Sequence, residues 1–193
     1  MATQPGYDPT RLPDDLPVPT DDGAADHLPG AAVPSVALAA TDGGTVDVAS
    51  LAGRTVLYAY PRTGRPDTAP LVPEWDRIPG ARGCTPQACS MRDLHAELRD
   101  AGADRVLGLS TQPTDDQLEV VQRLHLPYPL LSDEGLELAR ALRLPTFEAG
   151  GLTLLRRLTL VVDDAAVTHC FYPVFPPDAH GEEVLAWLRS NPR

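Results

Sequence analysis

Gly83-Cys84-Thr85-Pro86-Gln87-Ala88-Cys89-Ser90-Met91-Arg92-Asp93 is the stretch from which the fold is read. The spacing predicts an amphipathic helix from Cys84 to Ala101. Its apolar stripe is Ala88, Met91, Leu94, Leu98 and Ala101, and Gly102 is placed to end it. Upstream, across a long Pro-rich loop, Val56 to Tyr60 is a short apolar run of the kind found in a central strand. Downstream, Val106 to Ser110 is the next strand.

Further out, Val36 to Leu38 and Thr45 to Val48 flank Asp42-Gly43-Gly44, a hairpin signal. Thr114-Asp115-Asp116-Gln117 matches a capping box that opens a helix through about Leu124. Pro129 to Leu131 predicts a short strand, and Ser132-Asp133 caps a further helix to about Leu142. Leu158 to Val162 and Val167 to Tyr172 surround Asp163-Asp164-Ala165-Ala166 as a β-hairpin. A last helix, about Ala179 to Arg189, follows Pro176-Pro177. The order is a β-hairpin, then β-α-β-α-β-α-β-β-α. That order predicts an α/β, thioredoxin-like fold: a central mixed sheet flanked by helices, with an N-terminal β-hairpin.

Composition narrows the function. At 193 residues, 42% apolar and 22% charged, the chain suits one globular domain with a real core. We divide it into a flexible Pro/Asp-rich arm, residues 1–28, and a single domain, residues 29–193. The arm is too poor in large apolar residues to offset its ordering entropy, so it reads as a mobile tail or a surface wrap. A net charge of −11 argues against nucleic acid or an anionic membrane as partner. No apolar run approaches membrane-spanning length, and Met1 to Thr20 does not read as a secretory signal. We therefore expect a cytoplasmic protein, in whose reducing surroundings a close cysteine pair is more often catalytic or metal-binding than structural.

Cys84 opens its helix, where free backbone N–H groups and the positive end of the helix dipole favour thiolate over thiol. Cys89, one and a half turns deeper, gains less. In regular helix the two Cα atoms would stand roughly 8 to 9 Å apart, beyond the ~7 Å reach of a disulfide. Bridging them requires the first turn to unwind, which suits a catalytic cycle better than a static crosslink. The alternative is a pair of buried or metal-ligating thiols, but no second pair supplies the four ligands of a structural metal site. Cys170, after His169 in a predicted strand, reads as a packed thiol, and the five histidines show no metal-ligand spacing.

The quoted stretch resembles the active-site segment of the Q-type peroxiredoxins, also called bacterioferritin-comigratory proteins, whose pattern is Gly-Cys-Thr-x-x-Ala-Cys followed by an apolar residue and Arg-Asp. The resemblance runs over most of residues 30–190. It includes Asp42-Gly43-Gly44, Ser50-Leu51-Ala52-Gly53-Arg54, Tyr58-Ala59-Tyr60-Pro61, Leu130-Leu131-Ser132-Asp133, and Arg157-Leu158-Thr159-Leu160-Val161-Val162-Asp163. It implies a thiol peroxidase without metal or organic cofactor, monomeric or weakly dimeric. Cys84 would attack a hydroperoxide, Cys89 would form a disulfide with it, and a thioredoxin-like dithiol would restore both. Arg157 would favour the Cys84 thiolate and donate hydrogen bonds to the peroxide oxygens. Its neighbour Arg156, alternating on a strand, would face the other way.

The sequence also departs from that family, whose usual pattern is Pro-x-x-x-Thr/Ser-x-x-Cys. Position 81 is an alanine, and Pro61 stands 23 residues before Cys84, so the loop carries an insertion from about Gly64 to Ile78. Thr63 is the expected replacement for the missing hydroxyl, with Thr68 and Thr85 behind it. Pro61, Thr85 and Trp75 are expected at the substrate, Trp75 either as an apolar wall for bulky hydroperoxides or as a pin for the inserted loop. Two rival readings remain. One is a thiol–disulfide oxidoreductase, disfavoured because thioredoxins use Cys-x-x-Cys; the other is a thioredoxin-fold redox-sensing or binding module without efficient turnover.

Overall fold

A computed structural model of the chain describes residues 7–66 and 68–193. Its central strand is β3 (Arg54–Ala59), named here after β1 (Ala37–Ala40) and β2 (Thr45–Asp47), and every residue of β3 is buried. β4 (Arg105–Ser110) pairs with it in parallel, from Thr55 opposite Arg105 to Ala59 opposite Leu109. On the other side β8 (Leu158–Asp163) pairs antiparallel. With β5 (Leu130–Ser132) and β9 (Ala166–Phe171), the described residues form a seven-stranded mixed sheet in the order β2-β1-β5-β4-β3-β8-β9.

Period-two alternation divides the core. Val56, Tyr58 and Tyr60 face one layer, which holds Cys84, Ala88 and Met91 of α1 (Cys84–Asp93), Leu98 of α2 (His95–Asp100), Val120 of α3 (Thr114–Leu124) and Val184 of α5 (His180–Ser190). Leu57 and Ala59 face the other, with Leu138 and Leu142 of α4 (Glu137–Leu142). Helices on both faces of a mixed sheet make this a thioredoxin-like α/β fold, as the element order predicts. No described helix is long and apolar enough to cross a membrane.

Four local expectations need correction. The helix expected from Cys84 to Ala101 is two helices, because Leu94 leaves helical geometry (φ −100°, ψ 10°). The apolar stripe runs through the break, with Met91 and Leu98 buried in one layer, so periodicity does not reveal it. The capping box at Thr114 does not form; Pro113 is the cap, and Gln117 turns inward to accept from the Tyr60 hydroxyl at 2.6 Å and donate to the carbonyls of Gln112 and Leu131. The helix after Ser132-Asp133 starts only at Glu137, although the Asp133 carboxylate does accept from the backbone N–H groups of Glu137, Leu138 and Ala139. A two-stranded ribbon, β6 (Thr146–Ala149) with β7 (Leu152–Leu155), was not anticipated. Its turn is Gly150-Gly151, both at positive φ as a tight hairpin requires.

The inserted loop packs on this ribbon: Trp75 is buried with Ala81, Ala149 and Leu154. Residues 7–28 of the arm lie against the body. Leu28 is fully buried and Ala25 nearly so, and the Tyr172 hydroxyl donates to Asp22 at 2.9 Å. The remaining residues of the expected arm, 1–6, lie outside the described residues. Because Leu28 belongs to the same apolar layer as α4, Leu28→Ala should cost about 2–5 kcal/mol. Thermal or urea unfolding of the variant reads this; no change in midpoint would mean that residue 28 is not part of the core.

Candidate active site

Gly83 sets up the site. Its φ of +103° is a conformation that glycine adopts at little cost, and a Cβ there would collide with Pro177 and come within 3.1 Å of a Leu12 methyl. The chain turns at Gly83 and enters α1 with Cys84 as the first helical residue. Pro86 in the first turn sacrifices an N–H that has no helical acceptor anyway. The first-turn N–H groups and the helix dipole therefore converge on the Cys84 side chain, which is 3% exposed.

Arg157 reaches the same thiol. It lies not on a strand but in the two-residue link between β7 and β8, and its Nη2 stands 3.3 Å from Cys84 Sγ. The same nitrogen donates to the carbonyls of Gly80 at 3.1 Å and Arg82 at 3.0 Å, with that of Ala81 at 3.4 Å, while Nη1 donates to Gln87 Oε1. Cys84 Sγ also donates to the Ala81 carbonyl at 3.6 Å. Arg156 points away, to the Thr146 carbonyl, so the two arginines diverge as expected even though neither is in a strand.

Among the described residues several buried polar atoms on Arg157, its partner Gln87 and the residue after Cys84 have no hydrogen-bond partner: Arg157 Nε, Gln87 Nε2 and Thr85 Oγ1. Uncompensated buried donors and acceptors are costly, so these groups can still receive polar atoms. Behind Cys84 the layer is phenolic. The Tyr128 hydroxyl donates to the Ala88 carbonyl, and Tyr58 and Tyr128 share a hydrogen bond at 3.2 Å. Burial pushes the Tyr60 phenol well up, so it stays neutral.

The other expected site residues divide. Cys89 lies on the same helix, half-buried and unbridged, and burial raises its thiol pKa against the lowering influence of Arg92. Pro61 is buried, with its carbonyl accepting from Ser110 Oγ at 3.0 Å. Thr63 is buried, but its hydroxyl donates to Gln112 Oε1 at 3.0 Å. Thr63, Thr68 and Trp75 line a separate cavity of about 360 Å³ together with Tyr7, Leu71 and Gln112; neither Cys84 nor Arg157 is in its wall. Thus Arg157 and Cys84 come together, with Thr85 and Cys89 on the same helix as Cys84, whereas Thr63 and Trp75 belong to the inserted loop's cavity. Sequence reasoning assigned no role to Gln87 or Arg82. Gln87 stood inside the quoted motif; Arg82, two residues before the thiol, gave no signal.

The Redoxin family model matches residues 28–185. Chloroplastic peroxiredoxin Q of Populus jackii is 32% identical over 163 residues, covering 83% of this chain and 68% of its own. The chain belongs to the peroxiredoxins, of the Q type. The Sedum lineare chloroplastic peroxiredoxin Q is 31% identical over the same length, covering 83% of this chain and 77% of its own. Among solved structures, peroxidoxin BcpB of Mycobacterium tuberculosis superposes with a TM-score of 0.66 at 28% identity, covering 86% of this chain and 98% of its own. Xanthomonas campestris peroxiredoxin Q gives a TM-score of 0.64 at 22% identity, covering 92% and 98%, which bears on the fold alone. As a peroxiredoxin the chain is an oxidoreductase of the thiol peroxidase class.

Cys170 lies on β9. Burial pushes its pKa up to about 12, so at neutral pH it carries almost no thiolate. Relative to an ordinary thiol near pKa 8.5, its thiolate fraction is lower by about three orders of magnitude. Iodoacetamide labelling at pH 7.5, followed by peptide mass spectrometry, should therefore modify Cys170 last, and Cys170→Ser should leave peroxide turnover within about twofold of wild type. Loss of turnover in Cys170→Ser would assign it a redox role.

Proposed function

We propose that the chain reduces hydroperoxides through Cys84, is resolved by Cys89 and is recycled by a thioredoxin-like dithiol. The observation that carries this reading is the 3.3 Å approach of the Arg157 guanidinium to a thiol at a helix N-terminus. The Cys84 thiolate attacks the terminal oxygen of ROOH. The O–O bond breaks, Cys84 becomes a sulfenic acid, and the alkoxide leaves and takes a proton from solvent. Arg157 donates to the oxygens as negative charge moves onto the leaving group. Thr85, whose buried hydroxyl is unpartnered beside Cys84, replaces Thr63 as the preferred hydroxyl at the peroxide.

Resolution follows from the helix. Cys89–SH condenses with the Cys84 sulfenic acid, forming S–S and releasing water, once the first turn of α1 opens. A dithiol partner then attacks the disulfide, restores both thiols and departs as its own disulfide. The peroxiredoxin Q relatives support this cycle, as does the cysteine spacing.

Stopped-flow peroxide consumption with a thioredoxin system tests the roles. Cys84→Ser should be inactive, whereas Cys89→Ser should reduce one equivalent of peroxide and stall at a sulfenic acid that dimedone traps. Arg157→Met should slow the first step by roughly 10²- to 10³-fold. A wild-type protein without a fast peroxide reaction would favour the binding-module reading. Full turnover by Cys89→Ser would place the resolving thiol elsewhere.

A further inference from the structure

Residues of the arm sit on the active site itself. Leu12 packs against Gly83, the residue before the reactive cysteine. The Arg82 guanidinium donates to the backbone carbonyls of Asp8 and Arg11, and the Tyr7 ring covers it, with 4.4 Å from guanidinium carbon to ring centroid. Asp76 of the inserted loop completes the clasp at 3.6 Å. Arg82 is 7% exposed, so this is a buried junction of arm, insertion and catalytic loop.

Two crevices border Arg157, and the arm roofs both. One is closed by Leu16 and Pro17 over Ile78, Val174 and Phe175; the other by Pro19 over Pro79, Phe147 and Val174. Each has a volume of about 10 Å³, room for roughly one water molecule. Their walls combine apolar side chains with Arg82 in the first and Arg156 and Tyr172 in the second, and they meet along Gly80, Arg157 and Val174. With the arm lifted they would join beside the guanidinium into one trough with Ile78, Pro79, Phe147 and Val174 as its apolar wall.

We propose that residues 12–19 occupy the place that the organic group of a hydroperoxide takes, so that the seated arm admits hydrogen peroxide and excludes bulky alkyl or aryl hydroperoxides until it is displaced. This rests on the peroxidase reading and goes beyond it by naming the element that sets substrate size. Leu16, Pro17 and Pro19 present the arm's own apolar groups to the trough. An incoming hydrocarbon group must outcompete a segment held by Arg82 at effectively high local concentration.

The test compares rate constants for Cys84 oxidation by hydrogen peroxide and by cumene hydroperoxide in three proteins: full length, the chain lacking residues 1–19, and Leu12→Ala/Leu16→Ala. The deletion stops short of Ala25 and Leu28, which belong to the core; the double substitution keeps the chain intact should the deletion fail to fold. The cumene-to-hydrogen-peroxide ratio should rise roughly tenfold or more in the deletion, and in the same direction in the double variant, with hydrogen peroxide itself changed by less than about threefold. Leu71→Trp, which narrows the separate 360 Å³ cavity, should leave the ratio where it is. A ratio unmoved in whichever arm variant folds overturns the proposal, as does a ratio governed by Leu71→Trp. If full-length protein fails to react with hydrogen peroxide, the peroxidase reading falls instead, and the two failures are told apart by that single arm.

Discussion

Arg157 is a buried cation that finds no carboxylate among the described residues. Its hydrogen-bond partners are three backbone carbonyls, the amide oxygen of Gln87 and the sulfur of Cys84. A desolvated guanidinium without a counter-ion is costly, and neutral carbonyl dipoles offset only part of that cost. The group that can complete the compensation is the Cys84 thiolate. In the proposed function the same residues carry an unmet demand for negative charge and the nucleophile that would meet it. The loop 80–82 is organised around the guanidinium, α1 starts where that loop ends, and the link between β7 and β8 exists at the height needed to deliver Arg157 there.

That arrangement constrains motion as well as charge. Forming a disulfide with Cys89 means opening the first turn of α1, and hence disturbing Gly83, which is pressed between Pro177 and Leu12. Pro177 precedes α5, and Leu12 belongs to the arm. Unwinding therefore competes with packing from both ends of the chain. In the proposed cycle this packing resists the unwinding that brings Cys84 to Cys89, so it bears on disulfide formation and not on the first attack on peroxide. A peroxidase cycle needs both states, and their balance lies in contacts outside the motif.

The mixed sheet and the helix start carrying both cysteines were legible because they rest on local signals: Val56 to Tyr60 as a run buried on both faces, the Asp-Gly-Gly hairpin, a cysteine at a helix start. Arg157 was found only through the resemblance, since nothing local separates it from Arg156. The ribbon of β6 and β7 has one local signal, the Gly150-Gly151 turn. What could not be read depends on long-range partners. Gln117 looked like a capping residue, yet the buried Tyr60 hydroxyl drew it inward. Thr63 looked like an active-site hydroxyl, yet Gln112 holds it. The arm looked solvated because its anchor, Leu28, is a single residue at its end and its clasp, Arg82, lies far away in sequence.

The missing hydroxyl at position 81 then has a structural sense. The segment from Trp75 to Arg82 packs its side chains against the ribbon and the arm, Ala81 fully buried among Trp75 and Leu154, and turns its carbonyls toward Arg157. A hydroxyl on residue 81 would belong to that packed layer. Acceptors thus come from the loop, while donors come from the other side: the first turn of α1, Arg157 and the unpartnered Thr85 hydroxyl. In the proposed function a peroxide is gripped from the helix and the arginine, because the loop offers carbonyls at Gly80, Ala81 and Arg82. The insertion and the alanine are in this sense one change, which moves hydrogen-bond donation from the loop to the helix while leaving the charge at its centre untouched.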